Sequence, residues 1–157
     1  MAQYNQWMNE KLHAASAQLT DAERKRDRGA FFESLHGTLN HLLYGDLAWL
    51  CRFTGKPLDG LDPNAGLYDD FQTLRARRVE LDRELIDWVE TITPDWLGAD
   101  LTYYSRASRA SFTRPAWTLV VHLFNHQTHH RGQATTLLTQ AGVDIGVTDL
   151  PALPLFG

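Results

Sequence analysis

The sequence predicts an all-α chain: a four-helix bundle with long crossover loops, built as one domain over residues 1–157. Three observations point there. Four long segments carry apolar residues at spacings of three and four, and Gly and Pro gather between them. Hydrophobic residues make up 43% of the chain and five residues are Trp, which is too apolar for a disordered polymer. A domain of this size buries roughly 68–70% of its unfolded surface, enough for a core without covalent staples.

The first helix is expected at about 2–19, where Tyr4, Trp7, Met8, Leu12, Ala15 and Leu19 recur on one side. The second is expected at about 29–53, with Phe32, Leu35, Leu39, Leu42, Leu43, Leu47 and Leu50 as its apolar face. "TGKPLDGLDPNAG" then supplies a long loop. The third, at about 68–92, has the cleanest seam: Leu74, Arg78, Leu81, Leu85, Trp88 and Ile92, apolar at every position but Arg78. Pro94 ends it by biasing Thr93 away from helix. "DLTYYSRASRASFT" is rich in residues that favour extended structure and suits a short hairpin. The fourth helix is expected at about 114–141, with Thr113 as its cap, Pro115 in its first turn and Gly142 at its end. The tail "GVDIGVTDLPALPLFG" has apolar clusters without helical period and is expected to pack across the bundle.

Charge and composition exclude several classes. Fifteen basic against 19 acidic residues give a net charge of −4, so the chain lacks the basic footprint of a nucleic-acid binder. The arginines at 75, 77 and 78 and at 106, 109 and 114 read as solvated faces and dimer rims. No apolar run approaches the ~20 residues of a membrane span. The opening "MAQYNQWMNEKLH" is amphipathic and polar from the start, so no signal peptide is expected. The single cysteine, Cys51, forbids an internal disulfide and suits a reducing compartment, so a cytoplasmic protein is expected. Cys51 is a structural thiol or a nucleophile near the end of the second helix.

"HLFNHQTHHRGQ" carries the chemistry, with four of the seven histidines inside nine residues. His122, His126 and His130 are four apart and stack along one helix face, in line with Leu119 and Leu137. His129 points about 100° away. An i, i+4 histidine pair can chelate one ion, or simply lie on a solvated face or in the core. A third ligand would come from the second helix, which offers His36 and His41; His41 lies on its leucine-rich side. Other chemistries fail on spacing. Gln127 stands where a His-Glu-x-x-His protease has Glu. A di-iron bundle needs two Glu-x-x-His pairs, and only Glu33–His36 exists. No phosphate-binding glycine loop is present.

At these residues the chain resembles the DinB (DinB/YfiT-like) family of damage-inducible metal-binding bundles, over nearly its whole length. "YNQWMNEKL" looks like the family's opening helix, "LHGTLNHLLYGDLAWLCRFTG" like its second, and "VHLFNHQTHHRGQATTLL" like its signature. The resemblance implies a four-helix bundle, commonly a homodimer, with a divalent metal, zinc or nickel, held by His41, His126 and His130. His122 then packs near the site and His129 is peripheral. Asn40 and Asn125, each just before a ligand, would hydrogen-bond the imidazoles or neighbouring backbone. Gly132 in "RGQ" would mark a close approach by another helix or a substrate. Relatives include thiol-dependent S-transferases and an isomerase, which implies a metal-dependent transferase or hydrolase acting on a small-molecule thiol or another small substrate. The alternative is a non-catalytic, stress-related dimer that binds metal or a small molecule. Asp46 is the nearest carboxylate to His41 and reads as a solvated helix residue rather than a base. Trp49, Phe53, Tyr103, Tyr104 and Trp117 are candidate walls of a pocket or, equally, core.

Overall fold

The structure, a computed structural model, describes residues 1–57, 66–105 and 108–156. It is mostly helical with one small sheet. The elements are α1 (Ala2–Ser16), α2 (Asp21–Lys25), α3 (Leu35–Thr54), α4 (Phe71–Glu90), α5 (Pro94–Gly98), β1 (Asp100–Ser105), β2 (Ala110–Pro115) and α6 (Ala116–Gln140), with 3-10 turns at Leu150–Ala152 and Pro154–Phe156. The four periodic segments are α1, α3, α4 and α6. Their main packing pairs are α3 with α6, α1 with α4, α1 with α6, and α3 with α4. Consecutive long helices α1 and α3, and α4 and α6, are not among those pairs, so long connections carry the chain across.

The apolar spacings identify the buried faces. Leu12, Leu39, Leu42, Leu43, Leu74, Leu81, Leu85, Leu123 and Leu138 are all essentially inaccessible, each contributing about 1.5–3 kcal/mol of burial. Ser34 caps α3, its hydroxyl accepting from Gly37 N at 3.0 Å. Gly55 closes α3 at φ 68, where a side chain would be strained. Asp70 caps α4 by accepting from Thr73 N at 2.7 Å. Thr93 is extended, as the following proline requires, and caps α5. In the tail, Val143 and Leu153 are buried, and the Tyr4 hydroxyl donates to Thr148 O at 2.7 Å.

Four expectations need correction. The all-α class holds only for the mostly helical part: the short hairpin expected before the fourth helix is a two-stranded sheet, β1 and β2 pairing antiparallel with Asp100 opposite Pro115 and Ser105 opposite Ala110. Thr113 therefore sits in a strand, its hydroxyl 2.8 Å from that of Thr102, and does not cap α6. The second long helix begins at Leu35 rather than near 29. Residues 28–33 instead form a turn with Gly29 at φ 70 and Glu33 at φ 62, closed by bonds from Arg28 N to Glu33 O and from Glu33 N to Ala30 O, both 2.8 Å. Arg78 is not on a solvated face; it is 2% exposed. Most of the stretch expected to form the long loop, 58–65, and Arg106 lie outside the described residues.

Candidate metal centre

His41 comes from the middle of α3, and His126 and His130 from successive turns of α6. The packing of these two helices brings the three side chains together. His41 Nε2 lies 3.1 Å from His126 Nε2 and 3.2 Å from His130 Nε2. All three ligand nitrogens lie within 4.8 Å of one another. A tetrahedral ion with nitrogens at about 2.0–2.1 Å spaces them about 3.3 Å apart, so the set has the right size.

Their protonation fits the same use. His130 Nδ1–H donates to Gln133 Oε1 at 2.8 Å, which leaves Nε2 with its lone pair directed inward. Burial is the largest cause of a lowered pKa at all three, and neighbouring imidazoles add to it at each. His41 falls to about 4 and His126 to about 3. Without an ion, the only proton available to these contacts would be one on His41 Nε2 shared between the other two nitrogens, a poor match for three converging neutral imidazoles. A divalent cation supplies what they lack.

The surroundings fix the rings. Phe32 stacks on His41, centroids 3.9 Å apart and planes at 20°, and meets His130 edge-on at 5.5 Å. Phe32 reaches this position because residues 28–33 turn instead of extending α3. The other side of the site is a helix crossing. A Cβ built on Gly45 of α3 would lie 2.7 Å from His126 Cε1, so glycine here admits the imidazole. Gly132 is not the glycine of close approach; nothing lies within 4 Å of where its Cβ would be.

Beside His41 opens a cavity of about 660 Å³ whose walls include Phe31, Phe32, Glu33, Tyr44 and Tyr68. Phe31 is 84% exposed beside it. Of the aromatics expected to wall a pocket, Trp49 and Phe53 stack in the core at 5.6 Å, and Tyr103 packs on Trp49 at 5.1 Å. Tyr104 and Trp117 are exposed. Phe53 instead lines a separate hollow of about 290 Å³ with Trp88 and Trp96. The cavity's aromatics lie partly in the turn that periodicity assigns to helix, so no sequence signal singles out Phe31.

The remaining histidines and asparagines have other work. His36 Nε2–H donates to Tyr68 O at 2.8 Å. Asn40 brackets the same residue, accepting from Tyr68 N at 2.9 Å and donating to its carbonyl at 3.0 Å. Together they clip the chain leading into α4 onto α3, so Asn40 holds backbone rather than an imidazole. Asn125 is exposed and makes no hydrogen bond to a site histidine among the described residues. His122 is exposed and lies against Trp49, ring centroids 5.1 Å apart. His129 is exposed, edge-on to His130 at 4.7 Å. Cys51 is buried, and burial raises its thiol pKa, which suits a structural thiol and not a nucleophile.

Asp46 overturns its expectation. It is fully buried, 2.8 Å from Arg78 Nη1. Burial raises its carboxyl to about 6 while Arg78 pulls it back, leaving it ionised at neutral pH. Asn5 donates to it at 3.2 Å, and Gln127 Nε2 donates to it as well. Arg78 Nη2 lies 2.8 Å from Asp82, which accepts from Asn9 at 2.9 Å. Arg131 donates to Asn5. The polar network thus touches all four long helices. Its one signal in the sequence is the charged residue in the seam of α4, with Asp82 one turn on.

A mostly helical fold with three convergent histidines defines a class of metal-capable helical proteins. The chain belongs to the DinB family, whose model matches residues 1–155. It is 27% identical over 153 residues to Protein DinB of Bacillus subtilis (strain 168), covering 94% of this chain and 87% of that one. A crystal structure of a DinB-like protein from Bacillus cereus ATCC 10987 superposes with a TM-score of 0.65 at 19% identity, covering 89% of each chain.

Proposed function

We propose that the protein binds one divalent ion, zinc or nickel, through His41, His126 and His130, and is a metal-dependent enzyme for a small-molecule thiol, transferring it or hydrolysing a small substrate. The convergence of three neutral imidazole nitrogens, 3.1 and 3.2 Å from His41 Nε2, carries this reading. On the same reading the four long helices are the family's four-helix bundle, and the protein works as a cytoplasmic homodimer. No helix among the described residues is long and apolar enough to cross a membrane.

When bound, the ion would act as a Lewis acid and favour the thiolate form of a thiol. The chain's own residues do the rest. Gln133 holds the His130 tautomer, Phe32 fixes the His41 ring, and the cavity beside His41 has room for a small substrate. Asp46 is not available as a base, because Arg78, Asn5 and Gln127 occupy its oxygens. That favours chemistry whose nucleophile is activated without a carboxylate.

The test is elemental analysis and calorimetric titration of zinc and nickel on the wild type, His41→Ala and His126→Ala/His130→Ala. We expect about one equivalent in the wild type, loss in His126→Ala/His130→Ala, and only the weaker binding of the remaining α6 pair in His41→Ala, with the helical signal retained. A wild type that takes up neither metal would sink the reading. Binding without turnover of thiol or ester substrates would leave the non-catalytic binder instead.

A further inference from the structure

Gln127 immediately follows one proposed ligand, His126, yet its side chain points the other way, into the core, and is inaccessible to solvent. Its amide nitrogen donates to Leu42 O, the carbonyl next to His41, at 3.0 Å, and to the Asp46 carboxylate. A residue adjacent to an α6 ligand is thus tied to the backbone adjacent to the α3 ligand. The pattern repeats one turn on. Arg131, next to His130, is 3% exposed and donates to Asn5, which donates to Asp46 at 3.2 Å.

We propose that Gln127, acting with Asp46, is a positioning residue that sets the register of α3 against α6 and so holds His41 opposite His126 and His130. The physical reason is the difference between apolar and polar contacts. Burial itself has no direction, so leucines between two helices discriminate less sharply between nearby registers than hydrogen bonds do. A buried amide that donates to one carbonyl and one carboxylate does not tolerate small slides. A slide of an ångström or two would leave the Gln127 amide nitrogen unpaired in the core. His126 and His130 are spaced by their own helix. Only His41 depends on how the two helices meet.

The inference rests on the metal reading above, and its test separates the two. Zinc and nickel affinities are measured for the wild type, Gln127→Leu, His41→Ala and the double variant, with circular dichroism and thermal melts beside them. Gln127→Met, closest in length, is measured in parallel in case branching at Leu perturbs the fold. The expected result is a loss of affinity of about 10–100-fold on replacing Gln127 in the wild type, with the helical signal kept. In the His41→Ala background the same replacement should change affinity little, because the remaining pair is spaced within α6. A cobalt-loaded Gln127 variant should also show an altered d–d spectrum at saturation. Wild-type affinity in both Gln127 variants would overturn the proposal, and so would an equal loss in both backgrounds, which marks general destabilisation. A wild type that binds no metal would overturn the metal reading itself, and this inference with it.

Discussion

Gly45 and His13 show how single residues set the site and its pH response. At Gly45 two effects oppose each other. Alanine would gain about 1 kcal/mol of helix propensity, but its methyl would lie 2.7 Å from His126 Cε1. The ring must move from the position it holds beside His41 and His130. Gly45→Ala is therefore expected to leave the melting temperature nearly unchanged while metal affinity falls about tenfold or more. Calorimetric titration beside a thermal melt checks both halves; unchanged affinity would show that the ring is free to shift. His13 is 4% exposed and stacks on Phe71 with centroids 5.8 Å apart. Burial first, then Arg78, Arg75 and His36, lowers its pKa from 6.5 to about 3. The folded state thus binds fewer protons than the unfolded one between those values. Its contribution is complete above the unfolded pKa and is lost as pH falls toward the folded one. His13→Gln should be less stable at pH 7. Between pH 6 and 4, however, its stability should fall less steeply than the wild type's, by about 1.4 kcal/mol per pH unit, one proton's worth. Parallel slopes in denaturant titrations would show that His13 is protonated in the fold.

The helices explain what is legible in the sequence and what is not. Periodicity exposes any helix face that is apolar along its length, so α1, α3, α4 and α6 are visible, and the four-residue spacing of His126 and His130 by itself makes them neighbours on one helix. Periodicity misassigns residues 28–33 because the two phenylalanines continue the apolar register of α3. The backbone there is decided by Gly29 and by Glu33 at φ 62, which no periodicity reports. Asp46 reads as solvated because its partners lie on other helices: Arg78 on α4, Asn5 on α1, Gln127 on α6. Pairings between helices are not written in the spacing of any one of them. The interhelical ion pair has a measurable consequence. Arg78→Met keeps the volume but leaves Asp46 and Asp82 buried, 0% and 3% exposed, without their shared counter-ion. Removing one member of a buried pair costs about 3–5 kcal/mol, or roughly 10 °C in melting temperature for a chain of this size. Burial already raises both carboxyls, so the variant should recover part of its loss as pH falls from 7 to 5 and the aspartates protonate. A loss that stays constant over that range would mean that Arg78 contributes packing and not charge.

At the scale of the whole molecule, the proposed ion joins two helices whose ligands lie 85 and 89 residues apart in sequence. Such a tie forms only in the folded chain, so binding adds directly to global stability. At free metal about 100-fold above the dissociation constant the gain is about 2.7 kcal/mol, which corresponds to roughly 5–10 °C. Protons compete for the same nitrogens, and the direction of the pKa shifts decides where. Free imidazoles would begin to lose metal near pH 6.5. With His41 lowered to about 4 and His126 to about 3, these two ligands stay deprotonated well below that, and burial lowers His130 in the same direction. The sign follows from the depression. His41 and His126 are neutral in the fold at pH 7 and remain so at pH 5, so most of the metal-dependent rise should persist at pH 5. It should collapse only as pH approaches 4. Paired melts with and without zinc at pH 7, 6, 5 and 4 read the difference directly and cancel the metal-independent effect of His13. A rise already halved at pH 6 would mean that the three nitrogens titrate like solvated histidines, and that the convergence of α3 and α6 does not shield them from water.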